Sequence, residues 1–277
     1  MSSRALLLVI VSAAAPALAQ TSSACANYDT PGIAANAVVT TGTAVATAGG
    51  HLPAGRNWNL VIDDDFDGPQ LNTRIWKDWY MPGTIRETNG GMYQDNRRAL
   101  SFANGRLVIR GFDASALPGN PRNLPGTGGI MSKMKSGPGY YEARIKGGSA
   151  WAGFWLAGMG PSCSPITAGF EADIFEINRR FAPHGQNMVH WGGYRVCHQQ
   201  SGTWINIDPS RFYVFGMDWS TERGLTFYLD GQQTFAFPSA TSSNAADIIF
   251  SIESAGDPAA PMEIDYFHYY TDGGPKG

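Results

Sequence analysis

Gly169-Phe170-Glu171-Ala172-Asp173-Ile174-Phe175-Glu176-Ile177-Asn178 packs three carboxylates into six residues, with apolar side chains between them. Along a β-strand, side chains alternate between faces, so Glu171 and Asp173 share one. Strict alternation would put Phe175 there next and turn Glu176 away. A β-bulge at Ile174 and Phe175 absorbs one extra residue and returns Glu176 to the face of Glu171. Ala172 and Ile177 are then free to enter a core. Four effective steps separate the two glutamates, about 13 Å at ~3.3 Å per residue. Side chains leaning together would bring the carboxyl groups to roughly 5–6 Å, the range of retaining rather than inverting glycoside cleavage. Asp173 between them would raise a neighbour's proton affinity through like-charge coupling. The competing reading of the same spacing is an acidic, solvated edge strand.

Short alternating runs surround this segment: Arg106–Arg110, Tyr140–Lys146, Gly153–Ala157, Asn187–Trp191, Arg211–Trp219, Leu225–Leu229, Asp247–Ile252 and Met262–Tyr270. Leu229-Asp230-Gly231-Gln232 carries a hairpin-turn signal. No stretch sustains a 3.6-residue period, and none repeats another. The expectation is an all-β sandwich. All eight Trp residues lie from Trp58 onward, so residues 57–272 form one domain with ample material for a core. Residues 20–56 are Ala, Thr, Gly and Ser-rich and read as a linker or a strap laid on that domain. Residues 1–19 read as a cleavable signal peptide: Arg4, an apolar run from Ala5 to Ala14, then Ala17-Leu18-Ala19. The run is too short to span a bilayer. A secreted or periplasmic chain is expected, with no membrane partner. Residues 273–277 are left as a tail.

The segment Glu171-Ala172-Asp173-Ile174-Phe175-Glu176 resembles the E-x-D-x-x-E active-site strand of glycoside hydrolase family 16, which includes laminarinases, lichenases, agarases, porphyranases and κ-carrageenases. The likeness runs from about Trp58 to Tyr270. Asp65-Phe66-Asp67-Gly68 with Trp76 resembles the family's opening segment. Asn104-Gly105-Arg106-Leu107-Val108-Ile109 resembles its N-G-x-L-x-I strand, and Gly139 to Lys146 its G-Y-x-E-x-R-x-K strand. Phe154-Trp155-Leu156 and Met262-Glu263-Ile264-Asp265-Tyr266 follow in the family's order. The resemblance implies a β-jelly-roll of two curved antiparallel sheets with a substrate cleft on the concave face.

It also implies roles. Glu171 aligns with the nucleophile, Glu176 with the acid/base, and Asp173 with the carboxylate between them. Trp155 aligns with a cleft tryptophan, and His190 with a histidine near the acid/base. Trp151 shares Trp155's parity, Trp79 lies toward one end of the cleft, and Trp191 follows His190; all three join the expected sugar contacts, each weighed against a core role. Many members hold one structural Ca²⁺, for which Asp265 and the carbonyl of Gly105 are the matching positions; catalysis itself is expected to need no cofactor. The function implied is endo-acting, retaining hydrolysis of a β-linked polysaccharide, either a galactan of agar type or a β-1,3- or 1,3-1,4-glucan. A lectin-like binding module and a transglycosylase are the alternatives. The first has no need of three acids, and plant-type transglycosylases carry an unbulged E-x-D-x-E. The W-P pairs usual in laminarinase-like members are missing around Trp151 and Phe170.

Twenty basic residues stand against twenty-three acidic ones, scattered along the chain, which argues against a nucleic-acid partner. A monomer acting on a polysaccharide is expected. His184, His190, His198 and Cys197 fit no common zinc spacing, and Asp63 to Gly68 lacks the glutamate of a calcium loop at Arg74. If the carboxylate strand and Asn187–Trp191 form a hairpin, Cys163 and Cys197 lie at equal distances from its tip and should pair. Pairing of Cys25 with either of them stays open.

Overall fold

The structure, a computed structural model, describes residues 51–86, 92–148, 150–158, 163–164, 169–177, 184–192, 197–253 and 260–275. The expected signal peptide, most of the segment read as a linker or strap, and Cys25 lie outside the described residues.

Two antiparallel sheets form the body. One has seven strands in the order Gln199–Asn206, His184–Trp191, Glu171–Ile177, Ala152–Ala157, Asp247–Ile252, Gly129–Ser132 and Trp76–Asp78. The other has eight: Gln232–Phe237, Gly224–Leu229, Phe212–Ser220, Gly139–Lys146, Met262–Pro275, Leu107–Ile109 and Leu100–Phe102 in a row, with Arg56–Asp64 paired to Met262–Pro275. Asp230 and Gly231 both adopt positive φ, the twisted two-residue turn expected between Leu229 and Gln232. Residues 51–56 lie against this body. The backbone N–H of His51 donates to Oε2 of Glu142 at 2.7 Å, and Arg56 opens a strand. Glu142 is fully buried beneath this strap, with Tyr140 and Tyr266 as further donors.

The core fills the space between the sheets with aromatic rings, as the composition requires. Phe154 stacks on Phe250 at 4.6 Å, and both meet the edge of Phe267 from the opposite sheet. The bulge in Glu171–Ile177 is present. Against His184–Trp191, Asp173 pairs with Met188 and Glu176 with Gln186, so Ile174 and Phe175 together face only Asn187. Both bulge residues go inward and are fully buried. Phe175 packs on Phe215 of the other sheet at 4.5 Å between centroids. A Cβ on Gly147 would lie 2.8 Å from the Phe175 ring, so a glycine is required there. Phe175→Ala would leave a ring-sized hole between the sheets. It is expected to cost about 3–5 kcal/mol, seen as a lower urea midpoint at unchanged slope.

Candidate active site

Strand register places the outward side chains of the seven-stranded sheet in rows. One row reads Gln200, His190, Glu171, Ala157, Asp247; the next Gly202, Met188, Asp173, Trp155, Ile249; the third Trp204, Gln186, Glu176, Gly153, Ser251. The three acids stand in successive rows on one strand, which the bulge alone makes possible. Ala172, Ile174, Phe175 and Ile177 take the core side.

Each acid has its own surroundings. Oxygen atoms of Glu171 and Asp173 and a ring nitrogen of His190 all lie within 4.8 Å of one another. Asp173 is buried, and His190 Nε2 is 3.2 Å from its Oδ2. Burial pushes the Asp173 carboxyl well above the ordinary carboxylate range, and the charges of Glu176 and then Glu253 add to the effect. The shift anticipated for a neighbour of Asp173 thus falls on Asp173 itself. Glu176 accepts from the indole N–H of Trp151 and from the side-chain amide of Gln186. His190 Nδ1 meets His198 Nε2 at 2.9 Å. Burial, then His190, lowers the pKa of His198 to about 4, so His198 is neutral at physiological pH. One proton between those two nitrogens sets the tautomer of both rings.

The sign of the Asp173 shift gives a stability prediction. The folded chain holds this proton more tightly than the unfolded chain, whose value is near 3.8. The group therefore favours folding below that value, and the advantage is lost as pH rises toward the folded value. Asp173→Asn does not titrate. Its melting temperature is expected to gain on the natural chain progressively from about pH 4 upward, read by calorimetry across pH. A constant difference would show no upward shift.

The expected tryptophans divide. Trp155 lies on the acid face, its indole N–H on Ser251 Oγ at 3.0 Å and its ring edge-on to Trp79 at 5.6 Å. Trp79 is buried and supports Trp155 from behind. Trp151 holds Glu176. Trp191 takes the opposite parity from His190, packs on Phe237 at 5.0 Å and belongs to the core side, a correction to its expected sugar contact. Beside Glu171 a depression of about 420 Å³ is lined by Trp155, Ala157, Asp247 and Lys135 among others, with Lys135 Nζ 2.9 Å from Asp247 Oδ2. Gln186, His198, Lys135, Asp247, Glu253 and Trp204 were not anticipated as site residues. Parity on a strand beside the acids was the available signal for Gln186. For the others, the neighbouring strand or its register had to be known.

Cys163 and Cys197 are joined, 34 residues apart, which fixes His198 next to a crosslink. A loop of that length is worth about 4 kcal/mol in the chain-entropy account.

The calcium position does not fit a cation. Asp265 Oδ1 accepts from Arg106 Nε at 2.9 Å, and Oδ2 from Arg144 Nη1 at 2.6 Å. Both guanidinium groups lie over the Phe212 ring. Positive charge already meets both carboxylate oxygens of Asp265, where an ion would bind. Chelation by EDTA is expected to leave the melting temperature within about a degree of the untreated protein; a fall of several degrees would reinstate a bound ion.

No family model matches the chain. A curated relative, glucan endo-1,3-beta-glucosidase A1 of Niallia circulans, is 22% identical over 265 residues, covering 79% of this chain and 39% of the relative. This chain therefore spans well under half of that protein. Among solved structures, porphyranase B from Zobellia galactanivorans superposes with a TM-score of 0.65 at 17% identity, over 80% of this chain and 98% of that one. A non-specific endo-β-1,3(4)-glucanase from family GH16 superposes with a TM-score of 0.63 at 20% identity, over 79% and 92%. The chain has the β-jelly-roll fold of glycoside hydrolase family 16.

Proposed function

We propose that this chain is an exported, endo-acting, retaining glycoside hydrolase of β-linked polysaccharide. The observation that carries the reading is the bulged strand, which sets Glu171, Asp173 and Glu176 on one sheet face beside Trp155 and an open depression. The glucanase and porphyranase names among its likenesses support a polysaccharide substrate, a β-1,3- or 1,3-1,4-glucan or a galactan. Export rests on residues 1–19. Among the described residues, no helix is long and apolar enough to cross a membrane.

The proposed mechanism is double displacement. Glu171, ionised, attacks the anomeric carbon while Glu176 gives its proton to the departing glycosidic oxygen; the carbon–oxygen bond breaks and a glycosyl ester forms. Glu176, now ionised, takes a proton from water, whose oxygen displaces Glu171 with net retention. Burial raises the proton affinity of Asp173, which favours a group that adds no second negative charge beside the nucleophile and, when protonated, has an O–H to donate to it. Trp155 presents a ring to the apolar face of a sugar.

The test is a panel of agarose, porphyran, carrageenan, laminarin, lichenan and galactan, scored by reducing ends. Proton NMR of the first product gives its anomeric configuration. A β-anomer from at least one polymer is the expected result. An α-anomer would remove the retaining mechanism, and no release from any of them would remove the hydrolase reading.

A further inference from the structure

We propose that Gln186 reverses its side-chain amide each time Glu176 changes protonation state, so that one residue positions both the acid and the base. The proposal rests on the reading of Glu176 as acid/base. In that role the carboxyl group must be equally well held with and without its proton. Among the described residues its hydrogen-bond partners are Trp151 and Gln186. An indole N–H can only donate, so Trp151 serves any oxygen of Glu176 that carries no proton. The protonated oxygen needs an acceptor, and Gln186 is the partner able to supply one.

The amide is placed for this and is not locked. Gln186 is the direct cross-strand partner of Glu176, and its Nε2 reaches Glu176 Oε2. Its Oε1 is buried and meets no partner among the described residues. A buried acceptor left unmet is normally selected against. Among the described residues the amide is therefore bonded at its Glu176 end and unmet at the other, so the proton on Glu176 is the contact that chooses its orientation. The terminal torsion of glutamine is broad and roughly two-fold, and a half-turn exchanges the two ends in place. Asn187, the next residue on the strand, shows the contrast. Its Nδ2 donates to the carbonyl of Ile174 and its Oδ1 accepts from Thr234, so that amide is fixed at both ends. Gln186 has one fixed neighbour, and that neighbour is the group that must gain and lose a proton.

Neutron diffraction from the deuterated natural protein, at pH values below and above the Glu176 titration, decides the matter without turnover. Below it, Oε1 should face a deuterated Glu176 Oε2; above it, the ND₂ group should. The same orientation at both pH values would overturn the proposal. Kinetics give a second reading through Gln186→Met, checked for an unchanged fold by circular dichroism. kcat/KM on the polymer reports the step in which Glu176 is the acid. kcat on an aryl β-glycoside with a good leaving group reports the step in which it is the base. Both should fall about tenfold. A fall confined to the second would make Gln186 a fixed donor and end the proposal. Should the natural chain cleave no β-glycan, the hydrolase reading fails, while the neutron result still decides how Gln186 behaves.

Discussion

Glu171→Gln should lower turnover of the natural polymer by roughly 10⁴-fold or more, with the fold and the affinity for oligosaccharide kept. The amide has the shape of the carboxylate but cannot form the glycosyl ester. Glu171 is half-buried on the outer face, so its replacement opens no core cavity. The melting temperature should stay within a few degrees. In the proposed reading sugar also meets Trp155, the Lys135–Asp247 pair and the other groups of the depression, so an oligosaccharide Kd should move less than about fivefold, measured by calorimetric titration. The combination matters more than either half. Lost turnover with lost binding would mean that Glu171 only holds sugar. Retained turnover would take the nucleophile role away from it. A lectin-like module would show no turnover in the natural chain to begin with.

The sequence made the sheet face legible where alternation was strict and the fold partner was local. Glu171 to Ile177 could be read with its bulge because two apolar residues in a row, Ile174 and Phe175, have to go inward together if Glu176 is to face out. Asp230-Gly231 was legible because few other residue pairs accept two positive φ angles. Gln199–Asn206 was not anticipated: Gln199-Gln200-Ser201-Gly202 is polar and contains a glycine, and only its pairing with His184–Trp191 makes it a strand. The same limit hid His198. Its chemistry depends on which strand lies alongside, and register between strands is a tertiary fact. The Asp265 expectation came from a motif match, which carried no sign of Arg106 and Arg144, two arginines distant in sequence that only the folded sheet brings to it. Trp191 is a case of parity: its neighbour His190 faces the acids, so Trp191 must face the core.

Glu176→Ala should separate the two half-reactions. On the polymer, the departing sugar oxygen is a poor leaving group and needs its proton, so kcat/KM should fall about 10³-fold. An aryl β-glycoside with an acidic phenol leaves without protonation. Its first step should lose far less, and the glycosyl ester on Glu171 should build up, giving a burst of phenol followed by a slow steady rate. In the proposed mechanism Glu176 also activates water in the second step, and its removal leaves space between Trp151 and Gln186. Azide, a nucleophile that needs no base, should attack the ester there, raise the steady rate about tenfold or more, and yield a β-configured glycosyl azide. That configuration requires two inversions, one at Glu171 and one by azide. An α-azide would mean a single inversion with no ester, and the carboxylates would then have to be reassigned as an inverting pair. No rescue with any aryl glycoside would place the acid/base on a different residue, and Glu253, whose charge bears on Asp173, would be the first to test.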